Sequence, residues 1–212
     1  MNFKTVIFDL DGTIIDSFPG ISECAEYTLN TLGASFKQGV GMKQFVGPPL
    51  MYSFTNLCGM SEERARLAVK VYREHYVAGG MYNNTLYGGI VPLLARLKER
   101  GVTLAVATSK VEDFARKILA RHNIDGMFAF IGGAASDDSR TSKKAVLEYV
   151  LENLGGAKGA LMVGDRQYDI SGAHACGLPA AGALWGYGSR QELAAAGAEY
   201  FAERPEDILS LL

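Results

Sequence analysis

A doubly wound α/β fold, with a mostly parallel sheet, follows from three observations. Short apolar runs alternate along the chain with amphipathic helical stretches. The runs are continuously apolar rather than alternating, as expected of strands buried on both faces of a parallel sheet. Polar residues gather at the C-terminal ends of the runs, the edge where such sheets hold ligands.

The runs come in order. "KTVIFDL" near the N-terminus is the first strand and "VTLAVATS" (102–109) the second. "FAFIGG" (128–133) is a weaker third, "GALMVGD" (159–165) a fourth and "PAAGALW" (179–185) a poor fifth. Helices fall between them. "GIVPLLARLKERG" stops on a glycine after Lys98 and Arg100, a basic last turn followed by a residue free to reverse the chain. "KVEDFARKILARHNI" and "SKKAVLEYVLENLGG" carry apolar residues at three- and four-residue spacing, and Thr141 or Ser142 can cap the second.

Residues 18–84 break this rhythm. They contain no convincing buried strand and read as helices: "GISECAEYTLNTLG", "FVGPPLMYSFTNLCG" and "SEERARLAVKVYREHYVAGG". The expected organisation is an α/β core domain of residues 1–17 and 85–212 with a Rossmann-like sheet. A helical cap of residues 18–84 is inserted after the first strand. Hinges are expected near 14–18 and 80–88, where "NNTLYGGI" supplies turn-forming asparagines and glycines.

Composition bounds the function. Of 212 residues, 48% are hydrophobic and 21% charged, which suits a globular chain with a sizeable core. A net charge of -2 gives no support to nucleic-acid polymer binding, which favours a basic patch. Three dispersed cysteines, Cys24, Cys58 and Cys176, form no CxxC pair, so neither a disulfide framework nor a zinc site is expected. His75, His122 and His174 lack metal spacing. Arg64, Arg66 and Arg73 are expected to point at water. No apolar run approaches the ~18 residues of a membrane span, and "TVIF" is too short for a signal-peptide core, so a cytoplasmic location is expected.

The chemistry-bearing residues converge. Asp9 and Asp11 end the first strand, with Gly12 and Thr13 next. Thr108, Ser109 and Lys110 end the second, Lys143 and Lys144 open the helix after the third, and "GDRQYD" places Asp165 and Asp169 after the fourth. Grouped aspartates need a countercharge. Mg²⁺, a hard cation preferring oxygen ligands, supplies one. Hydroxyls, backbone N–H groups and a lysine suit a phosphate dianion. One of the leading aspartates can attack phosphorus and the other can pass a proton. Phosphoryl transfer needs chiefly positioning and charge neutralisation, and this set provides both.

"DLDGT" (9–13), "TS" (108–109), Lys143 and "GDRQYD" (164–169) resemble, in order, the four motifs of the haloacid dehalogenase superfamily of phosphatases. "FVGPPL" and "GALWGYGSRQELAAAGAEY" resemble its phosphoglycolate phosphatase-like group, and the likeness spans essentially the whole chain. The resemblance implies Asp9 as nucleophile, through an aspartyl-phosphate, and Asp11 as acid and then base. It implies Mg²⁺ on the carboxylates of Asp9 and Asp165 and the backbone carbonyl of Asp11, with Asp169 in support, directly or through water. Thr108, the backbone at Ser109 and Lys143 would bind phosphate, and Gly12 would allow a tight turn beside it. Lys143 is preferred to Lys144 because it comes first. Arg166 departs from the family's smaller residue and would pair with a site aspartate or line the cap interface.

The implied activity is hydrolysis of a small phosphate monoester, phosphoglycolate-like, with a small phosphorylated metabolite as partner. The alternatives are a nucleoside 5′-monophosphate phosphatase, a phosphomutase resembling β-phosphoglucomutase, and a non-catalytic phospho-ligand-binding module. A dehalogenase would need neither metal nor Asp11. Specificity would come from the cap, with Lys43, Met51 and Tyr52 as candidate contacts. Cap closure would exclude water from the first chemical step and admit it for the second.

Overall fold

The computed structural model describes residues 3–137, 139–156 and 158–212. In chain order the strands are β1 (Thr5–Phe8), β2 (Ile15–Asp16), β3 (Thr85–Leu86), β4 (Thr103–Val111), β5 (Phe130–Ala134), β6 (Ala160–Gly164), β7 (Ala180–Ala183) and β8 (Tyr200–Ala202). The first helices are α1 (Phe18–Thr31), α2 (Met42–Phe45), α3 (Leu50–Tyr52) and α4 (Glu62–Ala78). They are followed by α5 (Ile90–Glu99), α6 (Glu112–Arg121), α7 (Lys143–Asn153), α8 (Gln167–Ala175) and α9 (Arg190–Ala195). The chain forms two compact units, one of Met1–Asp16 with Leu86–Leu212 and one of Ser17–Thr85.

The first unit is built on a six-stranded sheet of order β5-β4-β1-β6-β7-β8, every neighbouring pair parallel. Continuous apolar character tracks burial on both faces. Val6, Ile7 and Phe8 of β1 and Leu161, Met162 and Val163 of β6 are all fully buried. The chain runs outward from β1 through β4 to β5, then returns to β6 on the other side of β1. That reversal puts the C-terminal ends of β1, β4 and β6 at a topological switch point, where open α/β sheets bind ligands.

The helices are amphipathic for plain reasons. In α5, Ile90, Leu93, Leu94 and Leu97 recur at helical spacing and all are buried, each contributing about 1.5–3 kcal/mol. In α7, Val146, Leu147 and Val150 pack with Ile7, Met162 and Ile170 on one face of the sheet. Ser142, one of the two expected caps, accepts from the Ala145 N–H at 3.2 Å and starts α7 at Lys143.

The second unit is helical and has an aromatic core. Phe45 and Phe54 meet edge to face at 5.2 Å, and Tyr72 and Tyr76 of α4 stack at 5.7 Å. Here the structure departs from expectation. "FVGPPLMYSFTNLCG" is not one helix: Val46 is extended, Gly47 has φ 107°, and α3 and a π-helical turn at Ser53–Leu57 follow. Paired prolines explain the break, since the residue before a proline is driven out of the helical region and proline itself lacks an N–H. Arg64 is exposed, as expected, and also donates to the Leu32 carbonyl at 2.6 Å. Among the described residues no helix is long and apolar enough to cross a membrane.

Candidate active site

The ladder between β1 and β6 continues one residue past β1, where the Asp9 N–H donates to the Val163 carbonyl at 2.9 Å. Asp9 is thereby fixed in backbone as the chain leaves the sheet. The chain then turns tightly on Leu10, whose carbonyl accepts from Thr13, Ile14 and Ile15. The turn needs Gly12 at φ 85°, a left-handed value that strains other residues, and a Cβ there would collide with the Asp165 carboxylate.

Three aspartates meet behind this turn. Asp9, Asp165 and Asp169 each offer a carboxylate oxygen within 4.8 Å of the others, and all three are buried. Lys143, at the first position of α7, reaches in among them. Its ammonium donates to Asp9 Oδ1 at 2.7 Å and to the Ala107 carbonyl at 3.0 Å, and lies 2.7 Å from Asp169 Oδ1. Three donors thus meet three acceptors, so a buried ammonium is satisfied. Lys144, one residue on, turns outward to Glu148 at 3.5 Å and is half exposed.

Asp165 follows β6 directly and is held at both oxygens. Thr13 Oγ1 donates to Oδ1 at 3.1 Å and the Tyr187 N–H to Oδ2 at 2.8 Å. Asp169 sits in the first turn of α8 and accepts the Arg166 N–H at 3.0 Å, which caps that helix while keeping the other oxygen on Lys143. Arg166 turns its Nε to Glu192 at 2.8 Å, a partner the sequence did not suggest.

Burial drives the electrostatics. It pushes the Asp9 carboxyl up to about 7 against the pull of Lys143. It pushes Asp165 well above the usual carboxylate range, reinforced by Asp169 and Asp9. Burial alone would lower Lys143, but the Asp169 and Asp9 carboxylates outweigh it and hold the ammonium above its ordinary value. Three carboxylates against one ammonium leave two negative charges uncompensated, so the donor set fits a hard divalent cation.

Asp11 lies outside this cluster of carboxylates. Its Oδ1 accepts from the Lys110 ammonium at 2.6 Å, in a pair that is largely buried. Thr108 is buried and its Oγ1 accepts the Lys110 N–H at 3.2 Å; Ser109, between them, is half-buried. Sequence reasoning missed three supports. Thr13 braces Asp165, the Trp185 indole N–H donates to the Thr13 carbonyl at 2.9 Å, and the Tyr187 N–H holds Asp165. The signal was available: "WGYG" begins on the last residue of the fifth apolar run, at the same sheet edge as the other motifs.

The model of the haloacid dehalogenase-like hydrolases matches residues 6–183, which includes all four motifs. The chain belongs to this family. It is 38% identical to a 5′-nucleotidase of Pseudomonas aeruginosa over 92% of this chain and 89% of that protein. It is 32% identical to a phosphoglycolate phosphatase of Aquifex aeolicus over 99% and 96% of the two chains. A tyrosine-protein kinase of Mycobacterium tuberculosis, PtkA, is 45% identical over 87% of this chain but only 63% of its own length. A solved structure of a predicted phosphatase from Clostridium acetobutylicum superposes with a TM-score of 0.92 at 38% identity, covering 99% and 100% of the chains. Membership of this hydrolase family, among phosphatase-named relatives, makes the chain a phosphoric monoester hydrolase.

Proposed function

We propose that the protein is a Mg²⁺-dependent phosphatase of small phosphate monoesters, working through an aspartyl-phosphate on Asp9. The observation that carries this reading is the buried trio of Asp9, Asp165 and Asp169 around a single ammonium. Its residual charge suits Mg²⁺ held by the Asp9 and Asp165 carboxylates and the Asp11 backbone carbonyl, with Asp169 in support. Bound there, the cation supplies charge neutralisation for the phosphoryl group.

The chain's own residues then have distinct tasks. Thr108 and the backbone N–H at Ser109 bind the phosphoryl oxygens, Lys143 neutralises the charge of Asp9 and of the phosphoryl group, and Gly12 lets the chain turn tightly beside it. The Asp9 carboxylate attacks phosphorus, and the ester P–O bond breaks as Asp11 gives its proton to the leaving oxygen. Water then attacks the phosphorus of the aspartyl-phosphate while Asp11 takes the water's proton. The bond to Asp9 breaks, inorganic phosphate leaves, and both aspartates return to their starting state.

These residues handle only the phosphoryl group, so we assign ester selectivity to the unit Ser17–Thr85, as the cap. Phosphoglycolate-like esters lead the substrate classes. Nucleoside 5′-monophosphates form the second, favoured by the 38% identical 5′-nucleotidase. The test is phosphate release from 2-phosphoglycolate, nucleoside 5′-monophosphates, sugar phosphates and p-nitrophenyl phosphate, with Mg²⁺ or with EDTA. Release should require Mg²⁺ and fall by about 10⁴-fold or more in Asp9→Asn. Phosphate transfer between hexose phosphates, or from ATP to a tyrosyl peptide, in place of release would overturn the reading.

A further inference from the structure

Lys110 has no place in the phosphoryl chemistry above, yet its environment is built with care. Its ammonium lies 2.6 Å from Asp11 Oδ1, and the two side chains are only 7% and 14% exposed. A charge-assisted hydrogen bond in so dry a setting fixes the orientation of the carboxylate it holds.

The backbone is shaped to aim it. Strands β4 and β5 pair in register up to Ala107 and Gly132, then resume at Val111 and Ala134. Four steps along β4 therefore match two along β5, and the bulge holds Thr108, Ser109 and Lys110. Bulges beside active sites re-aim side chains in this way. The bulge lies against Gly133 of β5, where a Cβ would come within 2.6 Å of the Lys110 carbonyl and 2.7 Å of the Glu112 N and Cα. Glu112 and Arg140 then lock the spot. Glu112 Oε2 accepts from the Gly133 N–H at 3.3 Å, and Arg140 bridges the Gly133 carbonyl at 2.8 Å and Glu112 Oε2 at 3.2 Å.

We propose that Lys110 is a positioning residue that aims the Asp11 proton at the leaving oxygen, the bulge of β4 over Gly133 being the device that delivers it. The inference rests on the phosphatase reading above. With Oδ1 accepting from the ammonium, a proton carried by Asp11 resides on Oδ2. That proton passes to the ester oxygen as its bond to phosphorus breaks, and Oδ2 later receives the proton of the attacking water. An ester whose leaving group departs readily as an anion gains little from this transfer, and an alkyl ester gains much.

The experiment compares kcat/KM for an alkyl phosphate and for p-nitrophenyl phosphate, since kcat/KM reports the step that expels the leaving group. In Lys110→Met the alkyl value should fall about tenfold to a hundredfold further than the aryl value, with inhibition by inorganic phosphate unchanged. Gly133→Ala, which displaces the bulge without touching either charge, should lower the alkyl-to-aryl ratio in the same direction. Equal losses on both esters, or an unchanged ratio in either variant, would overturn the role of Lys110. Wild-type protein that hydrolyses neither ester would overturn the phosphatase reading itself and this inference with it; aryl hydrolysis abolished by Asp9→Asn keeps that reading intact whatever Lys110 does.

Discussion

Lys143 is where this site is most sensitive. It is the single ammonium among three buried carboxylates, and removing one partner of a buried pair leaves charge with neither water nor counter-ion. Lys143→Met should therefore destabilise the metal-free protein by about 3–5 kcal/mol in urea melts, and saturating Mg²⁺ should recover part of the loss. Lys144→Met, which removes an exposed contact to Glu148, should change stability by less than about 0.5 kcal/mol. The same burial fixes a pH dependence. Asp9 titrates near 7 in the fold against 3.8 for an ordinary carboxyl, so between these values the native state binds more protons than the unfolded chain. Stability of the metal-free protein should fall as pH rises through that window, and thermal melts from pH 4 to 8 check the sign. With Mg²⁺ present the fall should shrink.

Short elements deliver these residues to one edge, and two are open to direct test. The turn after β1 depends on Gly12, with φ 85° and no room for a Cβ beside Asp165. Gly12→Ala should weaken Mg²⁺ binding by tenfold or more, a shift on the order of 1.4 kcal/mol, read by titration calorimetry. The start of α7 depends on Ser142, whose loss in Ser142→Ala should cost about 1 kcal/mol and loosen the turn that carries Lys143. This scale also shows what the sequence disclosed. Buried strands such as β1 and β6 were legible because they must be apolar throughout, Asp9 and Asp165 because each stands immediately beyond such a run, and Lys143 because it opens the amphipathic helix that follows the third. The edge strand β8 was not, since three residues carry too little pattern. The break in the "FVGPPL" stretch was signalled by its prolines, but the π-helical turn beyond it was not. The Lys110–Asp11 pair was also hidden, because a bulge changes where a side chain points without changing its residue type.

For the molecule as a whole, the family match spans residues 6–183, the stretch that also holds Asp9, Lys143, Asp165 and Asp169. Relatives named as a 5′-nucleotidase, a phosphoglycolate phosphatase and a tyrosine-protein kinase share much of this sequence, so the core motifs alone do not select the acceptor or the ester. On the proposed reading, selection belongs to residues outside the phosphoryl site. Exchanging Lys43, Met51 or Tyr52 for alanine should accordingly change the ranking of esters more than hydrolysis of p-nitrophenyl phosphate. Divalent metal should act on the whole fold by mass action, raising stability by about 2.7 kcal/mol at a hundredfold excess over its Kd. Melting curves in Mg²⁺ and in EDTA read that difference.

The proposed mechanism turns on phosphorylation of Asp9, and borohydride trapping during turnover reads that step. Reduction of an aspartyl-phosphate converts that aspartate to homoserine, which peptide mass spectrometry locates. Homoserine is expected at position 9, dependent on both substrate and Mg²⁺. Phosphate release with no trapped residue, or with the label at another aspartate, would contradict it.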